Sequence, residues 1–364
     1  MKITAAVLRH PSDTFKLEPV ALRAPLDHEI LVRIVSTGLC HTDLLPRASL
    51  VLSAPMVLGH EGAGVVEAVG SSVESLAPGD HVVLTFDWCG ACGSCVQGLP
   101  GSCSSFVARN LTGFDTSGGT TMADEAGDPI AAHWFGQSSF ASHVLVAEQS
   151  AIRVDPRLPL SLLAPLGCSV QTGAGTVLRV LRVRAESSII VSGVGAVGLV
   201  SVMAARAAGA RTIVAVDIDD SRLDKAKAFG ATHTVNPKTH DISEVTHEAC
   251  PSGADYGIDT TGKPDVIGSV LRALDSRGSC ALIGLMQGGL SLDATSLATG
   301  RTLIGVVEGG SNPHTLIPEL IRLWKAGSLP FDELIQHFTF DEINEAEAQL
   351  RAGTVIKPVL LQPK

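Results

Sequence analysis

The sequence predicts an α/β protein in which a parallel-sheet domain is inserted into a mostly β domain. Three observations carry this. Val- and Ile-rich runs separated by turn signals dominate residues 1–155. Strand-like and helix-like stretches alternate from about 160 to 305. A glycine-rich turn, Gly193-Val194-Gly195-Ala196-Val197-Gly198, stands at the first strand–helix junction of the alternating part.

In the β part, the runs at 30–35, 64–69 and 81–84 read as strands, with Pro78-Gly79-Asp80 as a turn before the third. Residues 104–131 are rich in Gly, Ser and Thr and read as a surface loop, a candidate lid. In the alternating part, strands are predicted at 189–192, 212–216, 257–259, 281–284 and 303–307. Helices follow the first strand up to Ala208 and the second up to Phe229. Such alternation implies a parallel sheet with helices on both faces. The tail reads as helices near 313–326 and 341–351 and a closing strand at 355–361, returning to the first domain. The expected division is therefore 1–160 with 306–364 as one domain and 161–305 as the other.

The 364 residues suffice for two cores, and 37 glycines beside 3 Trp, 1 Tyr and 10 Phe suit a protein full of tight turns. A net charge of −10 argues against nucleic acid as a partner, because phosphate backbones need a basic surface. No apolar run is long enough to span a membrane, and the first residues lack the apolar core of a signal peptide. A cytoplasmic protein is expected, and its eight cysteines then read as ligands, catalytic groups or core residues rather than disulfides.

The glycine-rich turn fits GxGxxG in its full context. It follows an apolar strand and opens a helix, and Asp217 ends the next strand, 19 residues past Gly198. Gly193 would permit the tight turn, Gly195 the approach of a pyrophosphate, and Gly198 the packing of helix on strand. The helix N-terminus supplies N–H groups and partial positive charge. Asp217 can accept both ribose hydroxyls and would repel a 2′-phosphate, which favours NAD over NADP. This is the Rossmann arrangement.

Cys89, Cys92, Cys95 and Cys103 fall within fifteen residues, with glycines at 90, 93, 98 and 101 that let the loop wrap. Four thiolates so close can surround one tetrahedral zinc in a closed, structural site. An iron–sulfur cluster is the rival reading, although its fourth spacing usually differs and a nicotinamide fold needs no second redox centre. Cys40, His60 and Cys168 show no short-range spacing, and a lone Cys or His is more often a core residue.

Taken together, Gly38-Leu39-Cys40-His41-Thr42-Asp43, Gly59-His60-Glu61-Gly62-Ala63-Gly64, the four-cysteine lobe, Leu166-Gly167-Cys168 and the glycine-rich turn occur in one order at fitting intervals. The whole chain resembles the zinc-containing medium-chain alcohol dehydrogenases, whose catalytic domain is GroES-like. The tail segments 307–311, 319–323 and 340–344 are similar, more narrowly, to bacterial aryl-alcohol (benzyl alcohol) dehydrogenases. The resemblance implies an NAD-dependent enzyme that oxidises primary alcohols, benzylic, aromatic or allylic, to aldehydes. It also implies two zinc ions per chain, one catalytic and one structural, and a homo-oligomer, with a tetramer favoured over a dimer.

Carried over residue by residue, Cys40, His60 and Cys168 hold the catalytic zinc and leave a fourth position for the alcohol. Thr42 takes the hydroxyl proton, Asp43 orients His60, and Glu61 stands next to the metal as a transient ligand. His41 and Lys357 fall where the family contacts the pyrophosphate, and Arg222 where a basic residue meets the adenosine ribose. The remaining expected cofactor residues are Ala196, Val197, Gly284 and Leu285. Trp134 and Phe135, with Leu45, are expected along the substrate channel. Many relatives carry a histidine three residues after the Thr42 position to pass the proton to solvent. Leu45 stands there instead, which leaves the exit to the cofactor ribose or to another base such as His41.

The rival functions fit less well. A zinc-free quinone or enoyl reductase would lack both cysteine sets. An inactive nucleotide-binding structural protein would be expected to lose Cys40, His60, Cys168 or Thr42. A general aliphatic, secondary-alcohol or polyol dehydrogenase stays as the alternative, against which stands the aromatic stretch His133-Trp134-Phe135. Cys250 and Cys280 have no place in the motif and are expected to pack in the second domain.

Overall fold

Strand pairing in the computed structural model follows the branched, aliphatic runs of the sequence. The structure describes residues 1–48, 55–292 and 295–363. Two compact units form. One comprises Met1–Cys168, Asn312–Pro318 and Asp332–Lys364, and the other Ser169–Ser311 and Glu319–Phe331.

The units break at Cys168 and Ser311, whereas the sequence pattern placed the breaks near 160 and 306. Hydrogen bonds explain the first shift. Ser36 Oγ donates to the Leu160 carbonyl at 2.7 Å and Thr85 Oγ1 to the Gly167 carbonyl at 2.8 Å, tying this stretch to the β unit. On the other side, Gln171 bonds to Glu308 and Arg179 to Glu319, and Trp324 packs on Phe331 at 5.4 Å, which holds 308 and 319–331 in the second unit.

The first unit is built on two sheets. One runs Met56–Val57, Lys2–Leu8, Lys16–Leu22, Met122–Ala123, Pro129–Ile130, all antiparallel. The other runs Ala151–Val154, His81–Leu84, Glu61–Val69, Glu29–Gly38, Lys357–Leu361, Ile335–Thr339, and His143–Ala147 also pairs with Glu29–Gly38. Its register sets Gly38 opposite both Glu61 and Val359, so three distant chain segments meet at one strand end. The expected loop at 104–131 is not structureless. It carries the short helix Phe106–Asn110 and two of the strands above. Buried Asn110 explains the difference, since it accepts from Asp87 N at 2.8 Å and donates to the Asp87 carbonyl at 2.9 Å, anchoring the segment rather than freeing it as a lid.

The second unit is one six-stranded parallel sheet ordered His233–Val235, Thr212–Val216, Ser188–Ser192, Ala254–Asp259, Leu274–Leu282, Thr302–Gly305. In chain order this is 3-2-1-4-5-6, the doubly wound Rossmann order, which reverses between Ser188–Ser192 and Ala254–Asp259. Its helices start on local signals. Asp219 caps Asp220–Phe229 by accepting from Ser221 N at 2.9 Å, and Asp241 caps Ile242–Ala249 by accepting from Ser243 N at 2.8 Å. Cys280 is fully buried in this unit's core, as expected, and Cys250 is half-buried. Among the described residues no helix is long and apolar enough to cross a membrane.

Candidate metal centre and dinucleotide turn

The end of strand Glu29–Gly38 delivers Cys40, which precedes the short 3₁₀ helix His41–Leu44. Glu61 opens the neighbouring strand with His60 just before it, and Cys168 follows the short 3₁₀ turn Ala164–Gly167. One potential ligand atom from each of Cys40, His60, Glu61 and Cys168 lies within 4.8 Å of the others. The close approach requires a glycine, because a Cβ on Gly38 would sit 2.0 Å from Glu61 Oε2.

The imidazole is fixed from behind. His60 Nδ1 lies 2.8 Å from Asp43 Oδ1 and both groups are buried, so Nδ1 carries the proton donated to the carboxylate. His60 Nε2 is buried with no hydrogen-bond partner. Burial alone would depress this imidazole, but the charge and hydrogen bond of Asp43 outweigh it and raise its pKa. The Cys168 side chain holds the Cys40 thiol well below the usual thiol range, with the Lys357 charge aiding and burial opposing. Burial raises the Glu61 carboxyl, and Lys357 opposes that rise. A buried imidazole nitrogen without an acceptor, beside two sulfurs and a carboxylate, is the environment of a soft dication. Two Cys and one His are a catalytic zinc donor set.

In the lobe, the four sulfurs of Cys89, Cys92, Cys95 and Cys103 also lie within 4.8 Å of one another. Cys89 and Cys95 are 3.9 Å apart and Cys92 and Cys95 3.5 Å. A regular tetrahedron of sulfurs about one zinc has edges of about 3.8 Å for bonds of about 2.3 Å, so the set fits a single ion. Backbone hydrogen bonds from Ser104 and Cys95 pull the Cys92 thiol down to about 5.

The glycine-rich turn follows strand Ser188–Ser192 and opens helix Ala196–Ala207. Gly193 has φ +80°, and a Cβ there would meet Thr260 Oγ1 at 2.3 Å. A Cβ on Gly198 would lie 1.9 Å from the Gly193 carbonyl oxygen, whereas one on Gly195 would meet nothing within 4 Å. Two glycines are therefore required by the fold, and the third leaves open backbone where a ligand can approach, which fits a dinucleotide pyrophosphate. Ala196 and Val197 are half-buried. Asp217 is nearly buried, with Oδ2 accepting from Val194 N at 2.9 Å and Oδ1 from Asp219 N at 3.1 Å. Arg222 Nε is buried without a hydrogen-bond partner, 4.0 Å from Asp219. Gly284 is half-buried and Leu285 exposed.

Other expected residues fall differently. Lys357, expected at a pyrophosphate, is buried, and its Nζ donates to both oxygens of Glu61 at 3.0 Å. Strand Lys357–Leu361 pairs beside Gly38, and that placement carries the ammonium inward. Trp134 and Phe135, expected as channel walls, belong to the first unit's apolar core. There Trp134 Nε1 donates to Asp43 Oδ1 at 3.1 Å, and Phe135 stacks on His60 at 4.5 Å. Thr42 and Leu45 are half-buried and His41 is exposed. Sequence reasoning missed Gln137, which is buried, donates to the His60 carbonyl at 2.9 Å and accepts from Gly62 N at 3.0 Å. No short-range spacing marks it.

Comparison with known proteins places the whole chain beside known dehydrogenases. Residues 26–156 match the alcohol dehydrogenase GroES-like domain, and residues 196–325 the zinc-binding dehydrogenase domain. The chain is 40% identical over 361 residues to geraniol dehydrogenase from Castellaniella defragrans, covering 98% of this chain and 97% of that one. Two crystal structures superpose over 100% of both chains. One is an alcohol dehydrogenase zinc-binding domain protein from Burkholderia ambifaria, at 47% identity and a TM-score of 0.97. The other is benzyl alcohol dehydrogenase from Acinetobacter calcoaceticus, at 41% identity and a TM-score of 0.95. With its Rossmann sheet, GroES-like β unit and two zinc-type donor sets, this chain belongs to the zinc-containing medium-chain alcohol dehydrogenases.

Proposed function

We propose that the chain oxidises primary benzylic or allylic alcohols reversibly to aldehydes, using NAD and two zinc ions per chain. The observation that carries this reading is the Cys40, His60, Cys168 set, half-buried at Cys40 and buried at the other two, with its unpartnered imidazole nitrogen. Bound there, zinc supplies the Lewis acidity that lowers an alcohol's pKa, and NAD supplies the hydride acceptor. Cys40 and Cys168 as thiolates hold the metal with His60, and Asp43 keeps His60 in the tautomer that presents Nε2. Lys357 balances the charge of Glu61, so two thiolates against a dication leave the buried centre near neutrality. Thr42 takes the proton from the alcohol hydroxyl, and Leu45 leaves its onward path to the cofactor ribose or His41. The four-cysteine lobe holds the second zinc as a structural ion.

We assign catalysis to the first unit and the cofactor to the second. The turn from Gly193 through Ala196 and Val197 to Gly198 offers backbone N–H groups to the pyrophosphate. Asp217 takes the ribose hydroxyls and disfavours a 2′-phosphate, with Arg222, Gly284 and Leu285 completing the contacts. The benzylic or allylic preference is supported by the names of two relatives, a geraniol and a benzyl alcohol dehydrogenase. Leu45 adds an apolar group where many relatives carry a polar one. A cytoplasmic homotetramer is the expected form. Self-association is supported by the strand Thr302–Gly305 at the sheet edge and by the exposed Leu285, Leu297 and Val307 in flanking stretches.

Initial rates with benzyl alcohol, a terpenoid allylic alcohol and ethanol, each with NAD, test the reading. Burying a ring or prenyl group supplies several kcal/mol, so kcat/KM for the first two is expected to exceed that for ethanol by about a hundredfold. Equal use of all three leaves a general alcohol dehydrogenase.

A further inference from the structure

We infer that Trp134 is a positioning residue for the catalytic metal, acting through Asp43 on His60. The inference rests on the proposed reading that Cys40, His60 and Cys168 hold that metal.

Asp43 is 1% exposed, and its carboxylate is surrounded by donors. Oδ1 accepts from His60 Nδ1 at 2.8 Å, Trp134 Nε1 at 3.1 Å and Gly59 N at 3.1 Å, while Oδ2 accepts from Cys40 N at 3.1 Å. The indole N–H and the imidazole N–H therefore share one oxygen. An indole is a donor only and carries no charge, so it fixes the carboxylate's rotation without adding a charge or taking the His60 proton. It also withdraws electron density from the oxygen that polarises His60, which sets how strongly Nε2 can donate to a metal.

The backbone is bent to make this arrangement. Phe135 has φ +50°, Gly136 +67° and Ser138 +49°. Left-handed backbone is costly for Phe and Ser and persists only where surrounding bonds over-determine it. Those bonds are present. Trp134 N donates to Ser138 Oγ at 2.9 Å, and Ser138 Oγ donates to the Val57 carbonyl at 2.7 Å. The turn sends two adjacent side chains onto the two members of one couple, Trp134 onto Asp43 and Phe135 flat against the His60 ring at 4.5 Å and 26°. A substrate wall alone would need neither the shared oxygen nor the stacked imidazole.

Trp134→Phe removes the N–H and keeps an apolar ring. Its readout is the rate at which the metal-replete protein releases zinc to a chelator, resolved into lobe and catalytic ions by comparison with Cys168→Ala. Loss of a group that orients a ligand costs metal affinity about 10–100-fold, so release of the catalytic zinc is expected to speed up at least about tenfold with the lobe zinc unchanged. kcat/KM is expected to fall by similar factors for ethanol and benzyl alcohol, where a wall residue would spare ethanol. Unchanged release of the catalytic zinc, or a loss confined to benzyl alcohol, overturns the inference. Should Trp134→Phe fail to fold, the benzothienyl analogue of tryptophan at position 134 keeps the bicyclic shape, lacks the N–H, and is judged by the same two outcomes. A wild-type chain whose zinc content is the same as that of Cys168→Ala overturns the underlying metal-site reading instead, and the inference with it.

Discussion

Replacing Lys357 with Met tests the electrostatics of the metal centre most directly. The Lys357 and Glu61 side chains are 4% and 0% exposed, and Nζ is 3.0 Å from both carboxylate oxygens. At that distance and an effective dielectric of about 20, Coulomb attraction is about 5.5 kcal/mol. Removing one partner of such a buried pair strands the other charge, which costs about 3–5 kcal/mol. Lys357→Met is therefore expected to lose about 3–5 kcal/mol of stability at neutral pH, and Glu61→Gln with Lys357→Met to recover most of it, because neither member of the pair is then left charged without its partner. Urea denaturation of the metal-replete protein, followed by tryptophan fluorescence, measures this, since Trp88 and Trp134 both report on the first unit. The pH dependence has a definite sign. Burial already raises the Glu61 carboxyl, and Lys357 is the side chain that most opposes that rise. A carboxyl whose pKa is raised on folding favours the folded state at low pH and loses that stability as pH rises through the raised value. The penalty of Lys357→Met should thus shrink on acidification. A loss under about 1 kcal/mol, typical of an exposed pair, or a penalty that grows in acid, would refute the reasoning.

Other expectations follow from the same geometry. Metal analysis should find two zinc ions per chain; Cys103→Ala should lower solubility or melting temperature, because structural zinc supplies folding energy on the order of 10 kcal/mol in small fingers, while Cys168→Ala should abolish turnover with less effect on folding. Asp217 should give NAD a preference over NADP of roughly a hundredfold, about 3 kcal/mol, and Asp217→Gly should narrow it mainly by weakening NAD; equal kcat/KM of the wild type with both would remove the assignment. Thr42→Ala should cost about 10²–10⁴ in rate and Thr42→Ser much less, and an Ala variant with normal rate and pH profile would exclude Thr42 as the proton acceptor.

Features made from neighbours in the chain were legible in the sequence. The turn from Gly193 to Gly198 is recognisable because its steric demands all fall within one strand–turn–helix unit, where spacing along the chain is spacing in space. The same holds for Cys89, Cys92, Cys95 and Cys103, which one loop can gather around an ion. Cys40, His60 and Cys168 carry no such local signal, and only their resemblance to a family grouped them in advance. Tertiary structure decided the rest through strand register. Pairing of Gly38 with both Glu61 and Val359 brings Lys357, expected at a pyrophosphate, onto a carboxylate 296 residues away as its buried partner. In the same way, the left-handed turn at Phe135 carries the Trp134 indole to Asp43, 91 residues distant. Long-range pairs of this kind leave no period in the sequence, because what selects them is the need to satisfy buried charges and N–H groups once the sheets have closed.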